Sequence, residues 1–107
     1  MVKIFSIDID GVIGVAKEIN DWDFSNMGNH KVNRGVIDKI NLLFGEGHTI
    51  ILHTGRDECN RDFTEKWLFI NGVKFHRLIM DKPKCDFYVD DRAIAGRENT
   101  IKSFLEF

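Results

Sequence analysis

Lys3-Ile4-Phe5-Ser6-Ile7-Asp8-Ile9-Asp10-Gly11-Val12 is the stretch from which the rest of the chain is read. Val2, Ile4, Phe5, Ile7 and Ile9 make a nearly continuous apolar run, the pattern of a parallel strand covered on both faces. The run ends in two carboxylates and a glycine. Unpaired carboxylates at the end of a buried strand are costly, so a cation or hydrogen-bond donors are expected around them. Strand alternation points Asp8 and Asp10 to one face, with Ile9 opposite. Two oxygen donors on one face suit a hard cation such as Mg²⁺. The competing reading is a surface strand end carrying two solvated acids. Gly11 lets the chain leave the strand through a conformation that a side chain disfavours.

Composition bounds the alternatives. The 107 residues predict a single domain, 1–107. With 43% hydrophobic and 30% charged residues, the chain reads as globular and not disordered. A formal net charge of -2 gives no sign of a dedicated nucleic-acid surface. No apolar run is long enough to span a bilayer, and the strand-like start has no signal-peptide pattern, so no membrane partner and a cytoplasmic location are expected. Cys59 and Cys85 have no metal-ligand spacing and read as free thiols.

The remaining elements follow from periodicity. Val12 to Asn33 is polar and irregular, long enough to hold a short hairpin, with Trp22 and Phe24 either covering the site or pinning the loop. Asn33 is placed to cap a helix whose apolar positions are Val36, Ile37, Ile40, Leu43 and Phe44, stopped by Gly45 and Gly47. His48 to Thr54 reads as a second buried strand, completing a βαβ unit with a parallel neighbour. A helix opening at Asp57 or Asn60 would bury Phe63, Trp67, Leu68 and Ile70. Lys74 to Met80 contains a third strand, and Pro83 suits the first turn of a short helix. Phe87-Tyr88-Val89 reads as a fourth strand ending in Asp90-Asp91, and a last helix spans about Glu98 to Glu106. Such alternation predicts an α/β sandwich with a mainly parallel sheet. With the first strand central, the groups at three strand ends would converge at one rim.

Asp8-Ile9-Asp10-Gly11-Val12, the apolar run into Thr54-Gly55-Arg56, then Lys82-Pro83 and Val89-Asp90-Asp91 resemble, in order, the four motifs of the haloacid dehalogenase superfamily. The resemblance is greatest to small members with Lys-Pro before a strand ending Asp-Asp-Arg, as Asp90-Asp91-Arg92 does here. It implies a three-layer, Rossmann-like core and a Mg²⁺-dependent phosphatase working through an aspartyl-phosphate. By resemblance Asp8 is the nucleophile and Asp10 the general acid and base. Thr54, Gly55, Arg56 and Lys82 would bind the phosphoryl group, with Thr54 and Lys82 also catalytic and Lys84 competing for the role of Lys82. Asp8, the backbone carbonyl of Asp10, Asp90 and Asp91 would serve the metal. These roles make chemical sense, because a carboxylate attacking a phosphate monoester needs cations to offset the repulsion between anions.

Both points where relatives insert a cap domain hold too few residues for one, so a capless core is expected. Its open site would take a small sugar or nucleotide phosphate, a larger phosphorylated molecule or a polymer end, or borrow a second copy of the chain as its lid. A nucleic-acid 3′-phosphatase would further need a basic, aromatic-lined channel. Two other classes remain beside the phosphatase. One is a receiver-like phospho-signalling domain, whose motif order differs in placing the lysine last. The other is a non-catalytic binding module on the same fold.

Overall fold

The structure, a computed structural model of the chain, describes residues 1–16, 30–94 and 99–107. The order of elements is β1 (Ile4–Asp8), β2 (Gly14–Ala16), β3 (His30–Val32), α1 (Arg34–Gly45), β4 (Thr49–His53), α2 (Arg61–Ile70), β5 (Arg77–Ile79) and α3 (Thr100–Glu106). It is the α/β arrangement with a parallel sheet that the alternation predicts. β1, β4 and β5 form that sheet in the order β1-β4-β5, with both pairings parallel. β2 and β3 pair antiparallel, which supplies the hairpin expected within Val12 to Asn33. Trp22 and Phe24 lie outside the described residues.

Local chemistry explains the helix ends. The Asn33 side chain accepts from the Val36 backbone N–H at 3.1 Å, satisfying one of the donors that a helix start leaves unpaired. α1 buries Val36, Ile37, Ile40 and Leu43 and then stops, with Gly47 at φ +93° turning the chain into β4. α2 follows its N-cap residue Asn60 and buries Thr64, Trp67 and Leu68. Phe63 and Ile70, expected on its buried face, are instead exposed. The packed stripe is set by Trp67, whose ring fills the space over the Gly14 backbone. A Cβ on Gly14 would lie 2.8 Å from the Trp67 ring.

Three expectations are corrected. First, β1 and β4 are not covered on both faces. Phe5, Ile7, Ile50, Leu52 and Leu78 enter the core together with Val36, Ile37, Ile40 and Phe104. On the other face Ile4 is exposed, and Ile51 and His53 are half-buried. Second, among the described residues β4 and not β1 is the middle strand of the sheet. Third, Phe87-Tyr88-Val89 is not a strand, and no helix follows Pro83. The Tyr88 hydroxyl donates to the Pro83 carbonyl, and the Lys82 ammonium lies 3.9 Å from the Tyr88 ring centroid. This folds the segment back on itself in place of an extended run, and Phe87 and Val89 face solvent. Among the described residues, no helix is long and apolar enough to cross a membrane.

Candidate active site

The carboxyl end of β1 is built around the Ile9 carbonyl. The backbone N–H groups of Val12, Ile13 and Gly14 all point at it, at 3.3, 2.9 and 3.1 Å, and Gly11 at φ +93° turns the chain to allow this. Ile9 itself donates to the His53 carbonyl, so the β1–β4 ladder runs one residue past the strand. That holds Asp8 and Asp10 rigidly at the rim.

Asp10 is held by three donor groups. Arg56 places Nη2 at 2.7 Å and Nε at 3.2 Å from its Oδ1, and Nε at 3.1 Å from its Oδ2. The Thr54 hydroxyl donates to Oδ2 at 2.7 Å and accepts from the Arg56 backbone N–H at 3.2 Å. The guanidinium is almost fully buried. Its Nη1 donates to the Thr64 hydroxyl at 3.1 Å, and its centre sits 5.9 Å from the Trp67 ring centroid. A two-pronged fork of this kind fixes orientation as well as charge. The resemblance assigns Arg56 to the phosphoryl group, whereas its guanidinium here is committed to an acid. The acid it braces is Asp10; Asp57 is met by Lys84 at 3.3 Å instead.

Asp8 has a different environment. It is half-buried, and burial pushes its carboxyl up from the ordinary 3.8 to about 6, with Lys82 pulling down and the Asp10 charge pushing up. Lys82 reaches this position because the chain after β5 is stitched to the chain after β4. Asp81 donates to the Arg56 carbonyl and Lys82 to the Thr54 carbonyl, both at 2.9 Å, with Asp81 in the left-handed region at φ +59°. The Lys82 ammonium lies 2.9 Å from His53 Nε2, and His53 Nδ1 lies 2.6 Å from the Ser6 hydroxyl. Burial first, and Lys82 second, push the His53 imidazole down from 6.5 to about 4.

These groups open onto a cleft of about 300 Å³ lined by Asp8, Asp10, Gly55, Arg56 and Lys82 together with Asp57, Lys84 and Tyr88. Asp8, Asp10, Thr54, Gly55, Arg56 and Lys82 are thus gathered at one rim. Asp90 and Asp91 are not in that lining. Both are exposed, and the Asp90 carboxylate accepts from the Arg92 backbone N–H at 2.9 Å. Among the described residues, no three His, Cys, Asp or Glu side chains gather as a metal site. The sequence reading has His53 only as part of the strand His48 to Thr54 and misses its link to Lys82. The signal was present in the strand register, which sets His53 directly opposite Asp8.

A family model described as the polynucleotide kinase PNKP phosphatase domain matches residues 2–94. A crystal structure of a target protein from Vibrio cholerae superposes with a TM-score of 0.75 at 22% identity, over 100% of this chain and 89% of that one. A structure of the Pnkp1/Rnl/Hen1 complex gives 0.66 at 22% identity, over 85% of this chain and 31% of that one. The Pnkp1/Rnl/Hen1 RNA repair complex gives 0.65 at 22% identity, over 98% and 32%. The chain spans about a third of the length of those last two matches. At this identity the structural likenesses speak for the fold. No curated protein matches the chain.

Proposed function

The chain belongs to the polynucleotide kinase PNKP phosphatase domain family, within the haloacid dehalogenase superfamily, and from that premise we propose that it hydrolyses phosphate monoesters at the cleft where Asp8 faces Lys82. The observation that carries this reading is the contrast between the two acids at the end of β1. Asp10 is clamped by Arg56 and Thr54 while part of its carboxylate still borders the cleft, whereas Asp8 is half-buried, lines the cleft and has no such clamp beside the Lys82 charge.

In the proposed reaction Asp8 attacks phosphorus, and the P–O bond to the leaving group breaks. The leaving alkoxide takes a proton, and an aspartyl-phosphate forms. Water then attacks this acyl phosphate at phosphorus, releasing inorganic phosphate and restoring the Asp8 carboxylate. Lys82 offsets the negative charge shared by Asp8 and the phosphoryl oxygens. Asp10 is the residue assigned to give its proton to the leaving oxygen and to take one back from the attacking water. Arg56 acts through Asp10, aiming its carboxyl, and Thr54 does the same from the other side. The Gly55 backbone lines the cleft in which the phosphoryl group would sit.

Mg²⁺ suits the donors in place. It keeps several waters and is commonly bound by one or two carboxylates plus substrate phosphate, so it does not need a cage of acids. Asp8 and the Asp10 carbonyl would hold it; Asp90 and Asp91, assigned to it by the resemblance, are exposed and lie outside the cleft lining. When bound it would offset charge on the phosphoryl group and the attacking carboxylate.

For the substrate we favour a phosphorylated polynucleotide end over a small sugar phosphate. The family name and the RNA repair assembly among the structural neighbours support this class. A cleft lined by Lys84 and Tyr88 among others also suits a chain end, since an aromatic face can stack a terminal base. The test compares Mg²⁺-dependent phosphate release from p-nitrophenyl phosphate with release from 3′- and 5′-phosphorylated oligonucleotides. The expected result is a higher kcat/KM on one oligonucleotide end. Equal or lower values on both ends would overturn the polymer assignment, and no release from any of the three would overturn the phosphatase.

A further inference from the structure

We propose that His53 is a positioning residue for Lys82, forming with Ser6 a hydrogen-bonded chain that holds the ammonium in the cleft that Asp8 also lines. The inference rests on the reading of Lys82 as the charge-offsetting group of a phosphatase.

The geometry follows from strand parity. Ser6 and Asp8 are two residues apart on β1 and so share a face. His53 is the β4 residue directly opposite Asp8, which puts its side chain in the same row. Lys82 arrives from the turn after β5, where its N–H is fixed to the Thr54 carbonyl. The result is a continuous line: Ser6 Oγ to His53 Nδ1 at 2.6 Å, then His53 Nε2 to Lys82 Nζ at 2.9 Å.

The donor inventory gives this line a direction. An ammonium has three protons and no acceptor, so Lys82 must donate to Nε2. A neutral imidazole with an unprotonated Nε2 carries its proton on Nδ1, so His53 donates to the Ser6 oxygen. An imidazolium could not occupy this place, because both of its nitrogens are donors. A flexible four-carbon side chain is thereby fixed at its charged end, where rotamer freedom would otherwise blur its position.

The test has two arms. Long-range ¹H–¹⁵N NMR of the wild-type protein at pH 7 reads the His53 tautomer without any need for turnover. The expected result is a protonated Nδ1 and a bare Nε2. A protonated Nε2, alone or in an imidazolium, would overturn the proposal. The second arm measures kcat on p-nitrophenyl phosphate. His53→Leu should lower it about 10- to 100-fold, the scale of a misplaced catalytic group. His53→Gln, whose amide oxygen can accept from Lys82, should recover most of that loss. In a Lys82→Met background, His53→Leu should lower kcat no further, whereas an equal loss there would mark a merely structural role and overturn the proposal. A wild-type protein without phosphatase activity would sink the functional reading, while the tautomer would still decide the hydrogen-bonded chain.

Discussion

The Arg56 guanidinium closes on the Asp10 carboxylate with Nη2 at 2.7 Å, from a position almost sealed off from solvent. A buried charge left without its partner is strongly destabilising, more so than the intact pair is stabilising. Arg56→Ala should therefore lower the unfolding free energy by about 2–4 kcal/mol, discounted slightly because Asp10 keeps some water access. Arg56→Lys should recover little, since a point charge cannot reproduce the fork or reach Thr64 at the same time. Chemical denaturation of the two variants checks this. A loss below about 0.5 kcal/mol in Arg56→Ala would contradict the clamp.

Gly14 is required by packing. A methyl group there would press on the Trp67 ring at 2.8 Å, and Trp67 is buried between Gly14 and the Arg56 guanidinium. Gly14→Ala should destabilise by about 1–3 kcal/mol through overpacking. Because the ring backs Arg56, the same substitution should also reduce phosphatase activity. A thermal melt and a rate measurement on one preparation test both effects.

Asp8 should make the metal-free protein less stable at neutral pH. Its folded-state pKa, about 6, lies above the ordinary 3.8, so the folded chain binds its proton more tightly than the unfolded one. The stability this contributes is fully present below about pH 4 and is lost as pH rises through about 6. At ~1.4 kcal/mol per pH unit, the loss is capped at ~3 kcal/mol. His53 has the opposite sign. Its pKa is depressed to about 4, so its contribution is present above about 6.5 and lost as pH falls toward 4. The two trends oppose one another, and the comparison must be made between variants. Asp8→Asn should raise Tm above wild type at pH 7.5 and converge with it near pH 4. A Tm difference that does not change with pH would contradict the buried-carboxylate account.

Removing the metal should abolish turnover, with Mg²⁺ restoring it. The acid limb of the rate profile reports the charging of Asp8, so in dilute Mg²⁺ it should lie near pH 6. More Mg²⁺ should move it to lower pH, because a bound cation favours the carboxylate. Asp90→Asn should raise the Mg²⁺ concentration needed for half-maximal rate. A limb that stays fixed across Mg²⁺ concentrations would separate Asp8 from the metal.

Much of this architecture is legible in the residues. The Asp8-Ile9-Asp10-Gly11 turn, the Asn33 cap and the parallel pairing of the first two long strands follow from local pattern, whereas the grouping of Thr54, Gly55, Arg56 and Lys82 with Asp8 comes from the family resemblance. What escapes is information that resides between elements. Ile4 and Ile51 are as apolar as Ile7 and Ile50, so a run of them does not say which face is covered. Phe87-Tyr88-Val89 has the composition of a strand, yet Tyr88 bonds back to Pro83 and covers Lys82. His53 looks like filler in its own strand. Its partners come from β1 and from the turn after β5, and only the pairing register brings them together.

The central claim, that Asp8 carries the phosphoryl group, is tested most directly by acid-quenching the enzyme during turnover of a ³²P-labelled phosphate monoester and mapping the labelled peptide. The account predicts acid-stable, base-labile label on the peptide containing Asp8, absent from Asp8→Asn together with the activity. Label on another residue, or full activity in Asp8→Asn, would contradict it.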